Sequence, residues 1–168
     1  LQALTREELA IHIPRGLDNG LTPAEISEII LHVTFYAGWP TGVQASLTAA
    51  EAFQELGVSI GPLRRAPAES ARVLIVPDQT GNRAYAAVPK LGELRNSVLF
   101  GDVWERPQLS KRDRSLLTMA VLQALYATNE LRIHIGRALD EYSVTAQEVS
   151  ETILHVTFYA GWAAAINA

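Results

Sequence analysis

Apolar positions recur at helical spacing along most of the chain. After Thr22-Pro23-Ala24-Glu25, the residues Ile26, Ile29, Ile30 and Val33 follow at intervals of three and four, which is one face of a helix. Thr22 and Glu25 have the spacing of a capping box, Pro23 occupies the first helical position, and Gly38 is a natural stop. Thr145-Ala146-Gln147-Glu148 opens a matching helix that runs to about Gly161. Residues 7–17 and 129–139 read as the helices before these two, with Asp18-Asn19-Gly20 as a turn. Ser110-Lys111-Arg112-Asp113 caps a long apolar helix reaching Tyr126, and the Ala-rich run 44–56 ends at Gly57. Between Gly57 and about Pro89 the periodicity stops. Pro62, Pro67, Pro77 and Pro89 and the run Asp78-Gln79-Thr80-Gly81-Asn82 mark a linker. Its one apolar piece, Val73-Leu74-Ile75-Val76, reads as a lone short strand with no sheet partner. The expected class is therefore all-α.

An internal repeat organises the helices. His32-Val33-Thr34-Phe35-Tyr36-Ala37-Gly38-Trp39 returns unchanged as His155-Val156-Thr157-Phe158-Tyr159-Ala160-Gly161-Trp162. Upstream, Glu8-Leu9-Ala10-Ile11-His12-Ile13-Pro14-Arg15 pairs with Glu130-Leu131-Arg132-Ile133-His134-Ile135-Gly136-Arg137, and the second copy has one extra residue near Glu141-Tyr142-Ser143. Two copies this similar imply the same local fold twice. The copies are complete at opposite ends, which points to a longer parent gene.

Composition narrows the function. The 168 residues carry a formal charge of −4, 48% hydrophobic residues and no cysteine. Thiolate catalysis, disulfides and cysteine zinc sites are excluded, and a cytoplasmic location is expected. No basic patch marks a nucleic-acid footprint. No apolar run approaches the roughly 18–20 residues that span a bilayer.

All four histidines, His12, His32, His134 and His155, fall in the repeat. Glu130, His134 and Arg137 stand at i, i+4 and i+7, as do Glu8, His12 and Arg15, so each trio shares a helical face. A carboxylate one turn before an imidazole orients it and raises its pKa, and an arginine one turn on can hold an anion. Together they supply an acid/base group, its orienter and an anion clamp. The plainer reading is a solvated i,i+4 pair of small energetic consequence. Glu28 precedes His32, and Glu151 precedes His155, at the same spacing. There the alternative is a partner-satisfied histidine at a helix or subunit contact. Lys111-Arg112-Asp113-Arg114 at a helix start is either an anion site or a solvated end. Two Glu and two His meeting between copies form a thin metal-ligand set, and no metal is expected.

The motifs Leu99-Phe100-Gly101-Asp102-Val103-Trp104-Glu105-Arg106-Pro107, Arg112-Asp113-Arg114-Ser115-Leu116, Asn129-Glu130-Leu131-Arg132-Ile133-His134 and His155 through Trp162 together resemble the carboxymuconolactone decarboxylase family. Residues 95–168 are similar to one nearly full module and residues 1–57 to the later two-thirds of another. Residues 58–94 are the linker. The resemblance implies an all-α, AhpD-like helical bundle of two related modules, the first lacking its opening helices. It implies a homo-oligomer, trimer or hexamer, with sites near subunit contacts. Peroxidase relatives carry Cys-x-x-Cys before the histidine, whereas Ala127 and Glu130 stand roughly at those places here, so the thiol route is closed. The activity implied is a cofactor-free decarboxylase (lyase) acting on a small carboxylated lactone such as 4-carboxymuconolactone. Alternatives are an isomerase or hydrolase of a small molecule, or a non-catalytic oligomeric module. By the resemblance His134 donates the proton and Glu130 orients it, with His12 and Glu8 as the copy. Arg112, Arg114 or Arg137 holds the carboxylate, and Arg15, His155 and His32 are further substrate-binding candidates. Only the second module has both helices that such a site needs.

Overall fold

The computed structural model describes residues 6–61 and 85–168. Among them every regular element is helical. Both capping boxes form as the spacing predicts. Thr22 Oγ1 accepts from the Glu25 amide at 3.2 Å, and the Thr22 amide donates to the Glu25 carboxylate at 2.7 Å. Thr145 and Glu148 repeat this at 3.2 and 2.9 Å. The Glu148 carboxyl lies below its usual range, first because of the Thr145 amide that donates to it. Thr22→Ala is expected to cost about 1 kcal/mol in urea unfolding, because it strands an amide of the first turn.

The first copy contributes α1 (Arg6–Asp18), α2 (Pro23–Ala37) and α3 (Trp39–Glu55). Next come α4 (Pro89–Leu94), a wide turn over Arg95–Leu99 and a 3₁₀ turn at Val103–Glu105. The second copy contributes α5 (Lys111–Ala124), α6 (Thr128–Glu141), α7 (Ala146–Ala160) and α8 (Trp162–Ile166). Two details differ from the sequence reading. The third helix starts at Trp39 rather than near Gln44, because Pro40 lies in its first turn, where no amide is needed. Residues 89–94, inside the expected linker, are helical. The apolar piece 73–76 lies outside the described residues.

The repeat shows most clearly at its glycines. Gly38 ends α2 and precedes α3 with φ +95° and ψ 154°, and Gly161 ends α7 and precedes α8 with φ +90° and ψ 162°. Positive φ is costly for any residue with a Cβ, so the same glycine makes the same corner in both copies.

The described residues form two compact units. One joins 6–61 with 109–168, and the other holds 85–108. The units therefore do not follow the repeat: helices of both copies share one body. In that body Ile13, Ile26, Ala49, Ala52 and Phe53 make a core of α1, α2 and α3. Met119, Leu122, Leu131, Ala138, Val144 and Val149 make a second core, against which Tyr36 of α2 packs. Helix α5 packs on α6, α7 and α2, and Gln123 Nε2 ties it to the Ile153 carbonyl at 3.1 Å. In the smaller unit the Arg95 guanidinium lies 4.9 Å from the Phe100 ring centre, and Phe100 stacks on Trp104 at 5.7 Å. A Cβ on Gly101 would lie 2.7 Å from the Asn96 and Ser97 carbonyl oxygens, so the Phe-Gly-Asp segment requires glycine there.

Candidate active site

Helix α2 carries Glu28, His32 and Tyr36 on successive turns, and α5 carries Arg114 and Thr118 one turn apart. Where these faces meet, four polar side chains are sealed from water. His32, Arg114 and Thr118 are 0% exposed and Glu28 is 1% exposed. Arg114 donates to Glu28 Oε1 at 3.0 Å, and its other terminal nitrogen lies 3.5 Å from His32 Nδ1. His32 Nε2 lies 2.8 Å from Thr118 Oγ1, which donates to the Arg114 carbonyl at 2.8 Å.

This pattern fixes the imidazole. A threonine hydroxyl has one proton, and Thr118 gives it to the Arg114 carbonyl. Thr118 therefore accepts from His32, so Nε2 carries the hydrogen and Nδ1 is the acceptor that faces Arg114. The same surroundings lower the His32 pKa to about 3, first through burial and then through the Arg114 charge, with His134 adding to the effect. His32 is neutral at any physiological pH.

Outward from this cluster, the Tyr36 ring lies 5.2 Å from the His32 ring, and His134 of α6 meets Tyr36 edge-on at 5.9 Å and 84°. His134 is half-buried with its Nδ1 inside. The second copy builds a related trio. Tyr159 lies 5.3 Å from His155, and His12 meets Tyr159 edge-on at 5.9 Å and 66°. Each trio takes a histidine and a tyrosine from one copy and a second histidine from the other. The trios differ in cover. His32 is sealed beneath α5, whereas Glu151, His155 and Tyr159 are exposed. Beside His155 lies an open groove of about 450 Å³ lined by Leu116, Leu117, Ala120, Glu151, Thr152 and Val156.

The expected site residues are thus distributed unevenly. His32, Arg114 and His134 converge through Glu28 and Tyr36. Glu130 is exposed and makes no hydrogen bond to His134. Arg137 is buried, donating to Glu141 at 3.2 Å and to the Tyr142 hydroxyl at 2.6 Å. Arg112 pairs with Glu148 and with Asp113, the latter at 3.1 Å. Arg15 and Glu8 are exposed, on the helix that carries His12. Sequence reasoning assigned no function to Glu28 or Tyr36 and passed over Thr118. The available signal was a run of polar residues one turn apart on helices whose other positions are apolar.

Chemically, the cluster is a rigid, nearly charge-balanced foundation. Glu28 and Arg114 cancel, and His32 has committed its only N–H. His134 lies at the edge of this cluster, half-buried against Tyr36.

Two curated relatives share part of this sequence. The 4-carboxymuconolactone decarboxylase of Acinetobacter baylyi (strain ATCC 33305 / BD413 / ADP1) is 50% identical over 62 residues, which is 37% of this chain and 46% of the relative. The nitrosuccinic acid decarboxylase of Metarhizium robertsii (strain ARSEF 23 / ATCC MYA-3075) is 37% identical over 76 residues, 45% of this chain and 52% of the relative. The chain thus spans about half the length of each. The family model described as Carboxymuconolactone decarboxylase family matches residues 1–52 and 89–168, taking in both cross-copy trios and the buried cluster. The chain belongs to the carboxymuconolactone decarboxylase family.

Proposed function

We propose that this chain is a decarboxylase of small carboxylic acids, with a carboxylated lactone such as 4-carboxymuconolactone as the substrate and His134 as the proton donor. Membership of the family and the names of both relatives support the loss of CO₂ from a small acid. The observation that carries the residue assignment is the position of His134, half-exposed over Tyr36 at the rim of the Glu28–Arg114–His32–Thr118 cluster.

The reaction needs three things from the protein. As CO₂ leaves, its bonding electrons pass through the conjugated system to the lactone carbonyl, giving a dienolate. A preorganised polar surface stabilises that charge, and an acid returns a proton to carbon. His32 cannot be that acid, since its pKa of about 3 keeps it neutral and its N–H is held by Thr118. Arg114 acts through Glu28 and His32 as a positioning residue, because its guanidinium is sealed inside. Arg112 remains the more accessible cation for the substrate carboxylate, being about two-fifths exposed.

Turnover of 4-carboxymuconolactone, followed by loss of its ultraviolet absorbance, tests this reading. His134→Ala is expected to lose about 10²-fold or more in kcat with an unchanged urea midpoint. His12→Ala, at the exposed trio, is expected to lose far less. Unchanged turnover in the His134 variant removes the assignment.

The partner expected beyond substrate is a second copy of the chain. Leu154, Phe158, Trp162 and Ile166 form an exposed stripe along α7 and α8, with Phe158 83% and Trp162 74% exposed. Phe35, Trp39, Val43 and Leu47 repeat the stripe along α2 and α3. Two copies of one apolar surface per chain suit a closed ring in which each stripe meets one on a neighbour. Phe158→Ser with Trp162→Ser is expected to lower the mass measured by light scattering. An unchanged mass, or a monomeric parent, counts against assembly through this stripe.

A further inference from the structure

Tyr36 brings the first copy into contact with His134, and its own place is fixed from two directions. Toward the start of α2, the same helical face carries His32 and Glu28 at four-residue intervals. Both are sealed against α5, Glu28 by the Arg114 guanidinium and His32 by Thr118 and Arg114. At the other end of α2, the corner into α3 is so tight that Gly42 has no room for a Cβ beside Thr34, two residues before Tyr36. The Tyr36 ring packs against the second core, 5.2 Å from the His32 ring, and meets His134 edge-on at 5.9 Å and 84°. The contact is no single accident of packing, because Tyr159 of the second copy meets His12 at the same 5.9 Å.

We propose that Tyr36 is a positioning residue for His134: its ring, anchored by the α2–α5 cluster, holds the imidazole in one orientation. A half-buried side chain on a helix exchanges between staggered rotamers unless a neighbour blocks all but one. An edge-on ring contact does this by bulk and by direct attraction together. The role belongs to the ring and not to the hydroxyl, since Tyr36 meets both imidazoles ring to ring. Orientation matters to an acid, because misplacement by about 1 Å can cost about 10²-fold in rate. The effect on turnover rests on the reading of His134 as the proton donor, whereas the effect on the imidazole itself does not.

The test compares Tyr36→Phe, which keeps the ring, with Tyr36→Leu and Tyr36→Met, which keep apolar bulk, all in the full chain. Urea midpoints identify any variant that fails to fold. Carbon-13 relaxation and ring-to-ring nuclear Overhauser contacts read the His134 imidazole without substrate. Its mobility is expected to rise in the Leu and Met variants and to match the parent in the Phe variant. With 4-carboxymuconolactone, the Leu and Met variants are expected to lose about 10-fold or more in kcat, with KM within about 2-fold of the parent. The Phe variant should keep its kcat within about 2-fold. Absence of Overhauser contacts between the Tyr36 and His134 rings in the parent overturns the proposal. An imidazole as ordered in the aliphatic variants as in the parent overturns it too, as does a Phe variant as impaired as they are. Parent-like kcat in the aliphatic variants, where His134→Ala has lost turnover, overturns it while leaving the proton donor in place. Parent-like turnover in His134→Ala removes the donor instead, and the relaxation measurement then decides on Tyr36 alone.

Discussion

Arg114→Ala is expected to destabilise the larger helical unit by about 3–5 kcal/mol, a large fraction of a typical domain's stability. The substitution leaves the Glu28 carboxylate, 1% exposed, with its guanidinium partner gone. It also strips the donor from His32 Nδ1. Neither group reaches water without parting α2 from α5, so the loss falls on the contact that joins the two copies. The cost is one of breaking the pair, not a measure of what the pair contributes. Taking two charges out of water nearly offsets their attraction, and a well-packed apolar pair often does as well. Glu28→Gln combined with Arg114→Met should therefore recover much of the stability that Arg114→Ala loses. Urea unfolding of the single and double variants reads both effects. A loss below about 1 kcal/mol for Arg114→Ala means that water reaches the pair. Thr118→Val probes the other end of the cluster. It keeps the shape and removes the acceptor of the His32 N–H, with an expected cost of about 1–3 kcal/mol.

The elements of this fold were largely legible in the sequence, and the site was legible only in part. Caps, stops and periodicity located the helices because each depends on residues within one turn or so of one another. Glu25 reaches Thr22 whatever the rest of the molecule does. The Glu28–His32 spacing was equally visible, as were the arginines at the start of α5. That these two features meet was not visible, because Glu28 and Arg114 lie 86 positions apart and join only when the copies fold against each other. Spacing alone also overstated the Glu130–His134–Arg137 face. Three residues at i, i+4 and i+7 share a helical side, but each side chain follows its own best partner. Arg137 turns to Glu141 and Tyr142, Glu130 turns to water, and His134 turns inward toward Tyr36. Duplication likewise predicted two equivalent histidine sets. It did not predict that α5 would seal one of them and leave the other open.

Acid is expected to weaken this protein already between pH 7 and pH 4.5, and the main cause is His32. In the folded state its pKa is about 3, against a model value of 6.5 for a solvated imidazole. The unfolded chain therefore takes up a proton first as pH falls. Above about pH 7 the ring is neutral in both states and contributes no pH dependence. Below that, each unit of pH favours the unfolded state by about 1.4 kcal/mol until the folded ring titrates too, so about 3 kcal/mol is lost by pH 4.5. His32→Gln keeps an N–H donor for Thr118 and removes the titration. Its urea midpoint should fall at pH 7, where an imperfect fit is the only difference, yet vary far less between pH 7 and pH 4.5 than that of the parent. Carboxylates such as Glu148, depressed by its capping bonds, add acid sensitivity to both proteins and cancel in the comparison. Nitrogen-15 spectra provide the microscopic counterpart, a single neutral ring with its proton on Nε2 persisting at pH 5. Equal slopes for parent and variant, or a ring that charges near pH 6, would mean that the imidazole is not enclosed between Arg114 and Thr118. The rigid foundation beneath His134 would then be absent.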